Sequence, residues 1–348
     1  MKILVIQQKM IGDVLTSSIL FEALRQKFPD AQLDYLINTH TYPVVENNPF
    51  IDDFIFFTKK EETSKNAFFK LAKSVKHKNY DIVIDVYSKL SSNFISVVSQ
   101  AKTRISYHKY YTTLFYNYNI KRQKSTDQKA GLAIANRMQL LSPLNIESKS
   151  IKPKIYLTKH EIANSKRFLE KYHIDLKKPL YMISVLGSGD NKTYPAPYMA
   201  KAIDIIAQQT QGQILFNYIP KQETQAKEIF NLCEDHTKTH IFFNVFGKSL
   251  RDFLAITYHC DALIGNEGGA VNMAKALDIK TFTIFSPWID KATWGLFEDS
   301  NNISVHLKDF KPELYTKPEK KLKKETFALY HKFNPELFFD KLKSFLQN

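Results

Sequence analysis

Cysteine is nearly missing from this chain of 348 residues: there are two, Cys233 and Cys260, both in helix-like surroundings. Neither has metal-ligand spacing or a nearby histidine that would complete a zinc pattern, and the pair fits a reducing compartment. Long apolar runs are missing too. No stretch reaches the ~18 residues a membrane-spanning helix needs, and the chain starts directly on the strand-like "KILVIQ", without the charged lead and apolar core of an export signal. The expectation is a protein that neither spans a membrane nor is exported. No G-x-G-x-x-G follows the first strand of either half, which argues against a dinucleotide-dependent oxidoreductase. Short-period repeats and low-complexity tracts are likewise absent. Positive charge, in contrast, is in excess, with 49 Lys and Arg against 35 Asp and Glu, a net +14. With 44% hydrophobic and 13% aromatic residues the chain is globular, not a disordered basic tail. Its partners are expected to be anionic: nucleotides, phosphorylated glycans, acidic membrane or nucleic acid.

Short β-rich runs alternate with amphipathic helical stretches: "KILVIQ", "QLDYLIN", "DDFIFF" and "YDIVIDVY" in the first half, "LYMISVL", "QILFNYI", "IFFNVF", "DALIG" and "TFTIFS" in the second. This is the βαβ rhythm of parallel sheets covered on both faces. The charged, proline-bearing run "SKSIKPKIYLTKHEI" interrupts it and reads as a connection. Two doubly wound, Rossmann-like α/β domains follow, over residues 1–155 and 156–325. The helical segment 326–348 carries Leu337, Phe338, Leu342, Phe345 and Leu346 at helical spacing and is expected to pack back across the domain junction.

Ligands of open α/β sheets bind beyond the carboxyl ends of strands, and three strand-end loops are chemically unusual. In "QQKMIGDVL", Gly12 permits backbone geometry closed to other residues, and Asp13 stands at a helix start. Asp13 reads either as a helix cap or as a general base. In "LGSGDNKTYPAPYM", Gly187 and Gly189 let amides converge, Ser188 and Thr193 offer hydroxyls and Lys192 a charge. That loop lacks the G-K-[ST] of a Walker motif, and reads either as a diphosphate cradle or as a flexible exposed loop. In "GNEGGAVNMAKAL", Gly265, Gly268 and Gly269 leave backbone amides uncovered at a helix start, with Asn266 and Asn272 on either side. Glu267 there either binds ribose hydroxyls or shapes its own loop. In the first half Lys70, Lys73, Lys76 and Lys78, with Arg104 and Lys109, form a basic stretch that reads as solvated surface or as an anion-facing group.

Taken in order, these loops resemble those of glycosyltransferase family 9, the ADP-heptose:lipopolysaccharide heptosyltransferases. The likeness rests on Gly12-Asp13 in "KMIGDVLTSSIL", Asp81 to Asp85 in "YDIVIDVY", and Arg104 in "TRISY". It continues with Gly187, Ser188, Lys192, Tyr194 and Pro195, with "GKSLRDFLAI", and with "GNEGGAVNMAKAL" in place of the family's N-D-[ST]-G-x-x-H-x-A-x-A-L. The resemblance implies a GT-B architecture, two Rossmann-like domains facing across a cleft. It also implies an inverting glycosyl transfer with no cofactor, no metal and no D-x-D motif, from a nucleotide-sugar donor, ADP-heptose by family usage, to an anionic glycolipid such as a lipopolysaccharide core. By the same resemblance Asp13 is the catalytic base, with Gly12 and Arg104 on the acceptor side. Gly187, Ser188, Lys192, Glu223, Asn266, Glu267, Gly268, Gly269 and Asn272 would hold the donor. The setting implied is cytoplasmic, peripheral to the inner face of the membrane, with no nucleic acid. The sequence departs from the pattern where Glu267 replaces Asp, Gly268 replaces Ser or Thr, Asn272 replaces His, and "FSPW" replaces F-G-P. A different nucleotide sugar, a weakened relative, a sugar-nucleotide epimerase and, more remotely, a basic nucleic-acid-binding protein are the competing readings.

Overall fold

The structure, a computed structural model, describes residues 1–127, 129–316 and 319–347. Lys317 and Pro318 of the charged run near the end, and Asn348 of the last segment, lie outside the described residues. The chain divides into two compact units, Met1–Tyr156 and Leu157–Asn348.

In the first unit the apolar runs become β1 (Lys2–Ile6), β2 (Gln32–Asn38), β3 (Asp53–Phe57), β4 (Ile82–Asp85), β5 (Thr103–Tyr107) and β6 (Tyr118–Ile120). They form one parallel sheet in the order β3-β2-β1-β4-β5-β6. Ile3, Leu4, Val5 and Ile6 of β1 are all fully buried, as a central strand covered on both faces requires. Each such side chain contributes about 1.5–3 kcal/mol on leaving water. The order of strands reverses between β1 and β4, and that reversal opens a crevice beyond their carboxyl ends.

The second unit repeats the plan with β7 (Leu180–Ser184), β8 (Gln213–Phe216), β9 (Ala262–Asn266), β10 (Lys280–Ile284) and β11 (Asn302–Val305). All are parallel, in the order β11-β10-β9-β7-β8, so the reversal falls between β7 and β9. "IFFNVF", expected to be a strand, is not one: Ile241 makes only an isolated bridge to Ile214. Its neighbours turn away to place Phe243 against Phe216, Tyr218 and Phe230.

The last helix, Phe339–Gln347, corrects a second expectation. Its buried Leu342 and Phe345 belong to the core of the second unit itself, with Phe345 5.6 Å from Phe282 of β10. Tyr194 anchors the same region: it is fully buried, and its ring meets Tyr330, Phe333 and Phe338. The apolar periodicity of the segment was legible in sequence, but periodicity does not say which core a face will join.

Candidate functional site

Both reversal points carry the loops singled out by sequence. In the first unit, β1 leads into the helix Ile11–Ser17. Asp13 is the third residue of that helix and not its cap: Met10 occupies the cap position, with no side-chain bond. The carboxylate is instead held by Arg137, whose Nη2 donates to Asp13 Oδ1 at 2.6 Å. The rest of the guanidinium is spent as well, with Nε donating to Ser17 Oγ at 3.0 Å and Nη1 to the Ala133 carbonyl at 2.9 Å. A fixed, nearly buried fork thus orients a carboxylate that remains 28% exposed. Gly12 precedes it and is half-buried.

Arg104 is a correction. It stands near the start of β5, away from the carboxyl ends, and its Nε and Nη1 donate to the Phe115 and Ala101 carbonyls at 2.8 and 2.7 Å. The side chain closes a turn and is not presented to an acceptor. Lys78 is also committed, to Asp53 at 2.7 Å and Asp34 at 3.4 Å.

At the carboxyl end of β4, Asp85 is fully buried; its Oδ2 accepts from Tyr116 Oη at 2.6 Å and its Oδ1 from the Ser88 N–H at 2.7 Å. Burial pushes its carboxyl up to about 6, against the pull of those two bonds. The folded state therefore binds this proton more tightly than the unfolded chain does. The stability so gained is fully present below the unfolded value of 3.8 and is lost as pH rises through about 6. A shift of that size is worth ~3 kcal/mol. In urea unfolding of wild type and Asp85→Asn, the difference in stability should move in favour of wild type by ~2 kcal/mol between neutral pH and pH 4. A difference that stays flat would show that folding leaves the proton affinity of Asp85 unchanged.

In the second unit the loops after β7 and β9 are fastened together. Asn266, the last residue of β9, is 1% exposed. Its Oδ1 accepts from the Tyr194 N–H at 2.7 Å and its Nδ2 donates to the Ser184 carbonyl at 2.9 Å. Asn266 is thus removed from the donor-contacting set, because both ends of its amide are used to tie the loops to each other. Gly265 is likewise not a ligand-facing glycine: at φ +130°, a Cβ would stand 2.5 Å from the Ser184 carbonyl oxygen of β7. Gly187 is needed for a similar reason, since a Cβ there would meet the Lys192 carbonyl at 2.2 Å. Its N–H is taken by Thr193 Oγ1 at 3.0 Å and its carbonyl by Gln222 Nε2 at 3.1 Å. The Gly187 amide is therefore not available to a phosphate. Ser188 is exposed. Glu223 opens the helix Glu223–Leu232 and is exposed, next to the Gln222 that touches the loop.

The "FSPW" departure has a structural use. Ser286 Oγ and Trp288 Nε1 both donate to the Asn191 carbonyl, at 2.7 and 2.9 Å, and so brace the residue before Lys192. Lys192 Nζ then lies 3.1 Å from Glu267 Oε1, off the hydrogen-bonding direction, so the attraction is Coulombic.

Glu267, 9% exposed, borders a small recess of about 30 Å³ that is also lined by Gly268, Asn272, Lys275, Thr283 and Trp294. Gly268 needs its freedom, at φ +153°, and a Cβ there would meet nothing within 4 Å, so the recess is open on that side. Gly269 and Asn272 belong to the following helix, Gly269–Ala276. Two buried oxygens of the recess, Glu267 Oε1 and Thr283 Oγ1, have no hydrogen-bond partner among the described residues. Lys275 is buried, with Nζ donating to the Leu296 carbonyl at 2.5 Å and lying 3.6 Å from Glu298 Oε1.

Sequence reasoning missed Arg137, Gln222, Lys275, Thr283 and Trp294. Two of these carried a signal. Arg137 and Lys275 are single charges inside the apolar helical stretches "LAIANRMQ" and "GAVNMAKA", where a charge is retained only with a partner.

Two parallel-sheet α/β domains with their unusual loops at the sheets' reversal points define a GT-B fold. The sequence model of glycosyltransferase family 9 (heptosyltransferase) matches residues 68–323. The chain belongs to that family and is a glycosyltransferase of its heptosyltransferase-like kind. Lipopolysaccharide heptosyltransferase 1 of Campylobacter coli is 22% identical over 295 residues, covering 82% of this chain and 84% of the relative. Among solved structures, a family 9 glycosyl transferase from Veillonella parvula superposes with a TM-score of 0.77 at 18% identity, over 95% of this chain and 97% of that one. The Escherichia coli ADP-heptose lipopolysaccharide heptosyltransferase II gives 0.70 at 15% identity, over 96% and 99%.

Proposed function

We propose that the protein moves a sugar, heptose, from a nucleotide diphosphate donor, ADP-heptose, to a lipopolysaccharide-type glycan in the cytoplasm, with inversion and without a metal. The observation that carries this reading is the recess: among the described residues the buried Thr283 hydroxyl has no hydrogen-bond partner, and Glu267 Oε1 is met by the Lys192 ammonium at 3.1 Å without a directed hydrogen bond. Such groups are costly unless something completes them. A polyhydroxyl sugar brings donors for both, and the exposed backbone at Gly268 lets it approach. Lys192 provides the charge for the diphosphate, as an ammonium already attracted to this site by Glu267. In the reaction Asp13 takes the acceptor hydroxyl's proton while that oxygen bonds to the anomeric carbon and the bond to the diphosphate breaks. Lys192 and the amides at Gly268 and Gly269 stabilise the charge that develops on the leaving group.

Thermal unfolding with ADP, UDP, GDP, CMP and ADP-heptose tests the donor. ADP and ADP-heptose should raise the melting temperature selectively, since ligand at a hundred times its Kd adds ~2.7 kcal/mol. Lys192→Ala should abolish most of the shift while leaving the unliganded melting temperature unchanged to within a few degrees. No shift with any of the five would sink the proposal, and a shift with UDP alone would replace the donor.

A further inference from the structure

A nucleotide-sugar diphosphate is charged on both phosphates and gains more charge as the sugar leaves, yet the cations of the recess are partly spent. Lys192 is drawn to Glu267. Lys275 is buried and given to the Leu296 carbonyl and to Glu298. Asn272, standing in the place of the family's histidine, adds no charge.

A further cation stands beside this site, on Trp288. The indole is fixed by the bond from its Nε1 to the Asn191 carbonyl at 2.9 Å. Lys192 Nζ lies 5.8 Å from the centre of that ring and Lys323 Nζ lies 4.7 Å from it. The two ammoniums share one indole, so they can be no further apart than those distances laid end to end. Lys323 belongs to the short helix Glu319–Lys324, in the charged run "KPEKKLKKE". Packing sets its position: the preceding Leu322 is buried in the core of the second unit. Thr326, also buried, donates its hydroxyl to the Lys323 carbonyl at 2.8 Å. The side chain of Lys323 is exposed, and among the described residues no carboxylate pairs with it. An aromatic face holds an ammonium without neutralising it, as a carboxylate would. The charge therefore stays available to an anion.

We infer that Lys323 is a second cation of the donor site, stationed on Trp288 and serving the diphosphate beside Lys192. Trp288 is the last letter of "FSPW", so the departure from F-G-P and the basic run near the end of the chain become two parts of one arrangement. The indole braces the loop that carries one ammonium and seats the other. The inference rests on the donor reading and adds to it a residue from outside the strand-end loops.

Titration calorimetry of the full chain with ADP, UDP and GDP, each beside its bare nucleoside, tests it. The diphosphate that binds wild type should bind Lys323→Gln about tenfold more weakly, the effect of losing one charge contact at an exposed site. The nucleoside should bind both proteins equally. Lys323→Arg should restore the affinity, because a guanidinium keeps the charge and also seats on an indole. The melting temperature without ligand should be the same in every variant. Undiminished diphosphate binding by Lys323→Gln, with Lys192→Ala still deficient, would overturn the inference and leave the donor reading standing. Equal weakening of the nucleoside, or no rescue by arginine, would overturn it as well. No binding of any of the diphosphates to wild type would remove the donor reading and this inference with it.

Discussion

Asp13→Asn should lower kcat for sugar transfer by ~10²- to 10⁴-fold, the range by which a positioned general base accelerates a reaction. The substitution is nearly isosteric, and its Oδ1 still accepts the 2.6 Å bond from Arg137. The fold should therefore survive, and what is lost is the capacity to take a proton. The measurement is release of nucleotide diphosphate at saturating donor and acceptor. A parallel titration with the donor nucleotide should give an unchanged Kd, because the groups assigned to the donor lie on the other unit. A variant that turns over at the wild-type rate would show that Asp13 is an ion-pair partner for Arg137 and nothing more. A variant that fails to bind nucleotide would show that the substitution reached further than the proton.

The second large effect is on stability. Gly265→Ala should cost more than ~3 kcal/mol and is expected to prevent folding at physiological temperature. Two independent causes add: a φ of +130° that L side chains rarely adopt, and a Cβ 2.5 Å from the Ser184 carbonyl oxygen. The obstacle is backbone of a paired central strand, so it cannot swing aside. Gly269→Ala is the control, since its Cβ would meet only the flexible end of Met273 at 3.9 Å. Alanine in place of a helical glycine gains up to ~1 kcal/mol. Urea unfolding of the two variants should therefore differ in sign. Equal costs would mean that the Gly265 backbone relaxes more freely than its pairing with Ser184 implies.

The fold was legible where the physics is local. Alternating β-rich and helical runs gave the parallel sheets, and glycine-bearing strand ends marked the loops at both reversal points. What sequence did not disclose is how each polar group is spent. Asn266 and Arg104 were expected at ligands because their types suit that work, yet the amide of one and the guanidinium of the other are consumed by backbone groups. Their partners are distant in the chain or arranged by a turn that the residue type does not encode. Arg137 is 124 residues from the carboxylate it orients, and only packing of the helix Leu132–Gln139 brings them together. "IFFNVF" has strand composition, but Phe243 and Phe246 pack on the rings of Phe216, Tyr218 and Phe230 instead of extending the sheet.

The clasp made by Asn266, Ser286 and Trp288 bears on how such a protein could change its habits. Those three side chains hold the loop backbones, while Asn272 stands at the mouth and makes none of those bonds. That position can be exchanged, altering which sugar or nucleotide is welcome, without asking the scaffold to refold, whereas Gly268 is held to glycine by its φ of +153° and Glu267 by its pairing with Lys192. The division separates inheritance from experiment: the frame passes on intact, and novelty is tried at its rim.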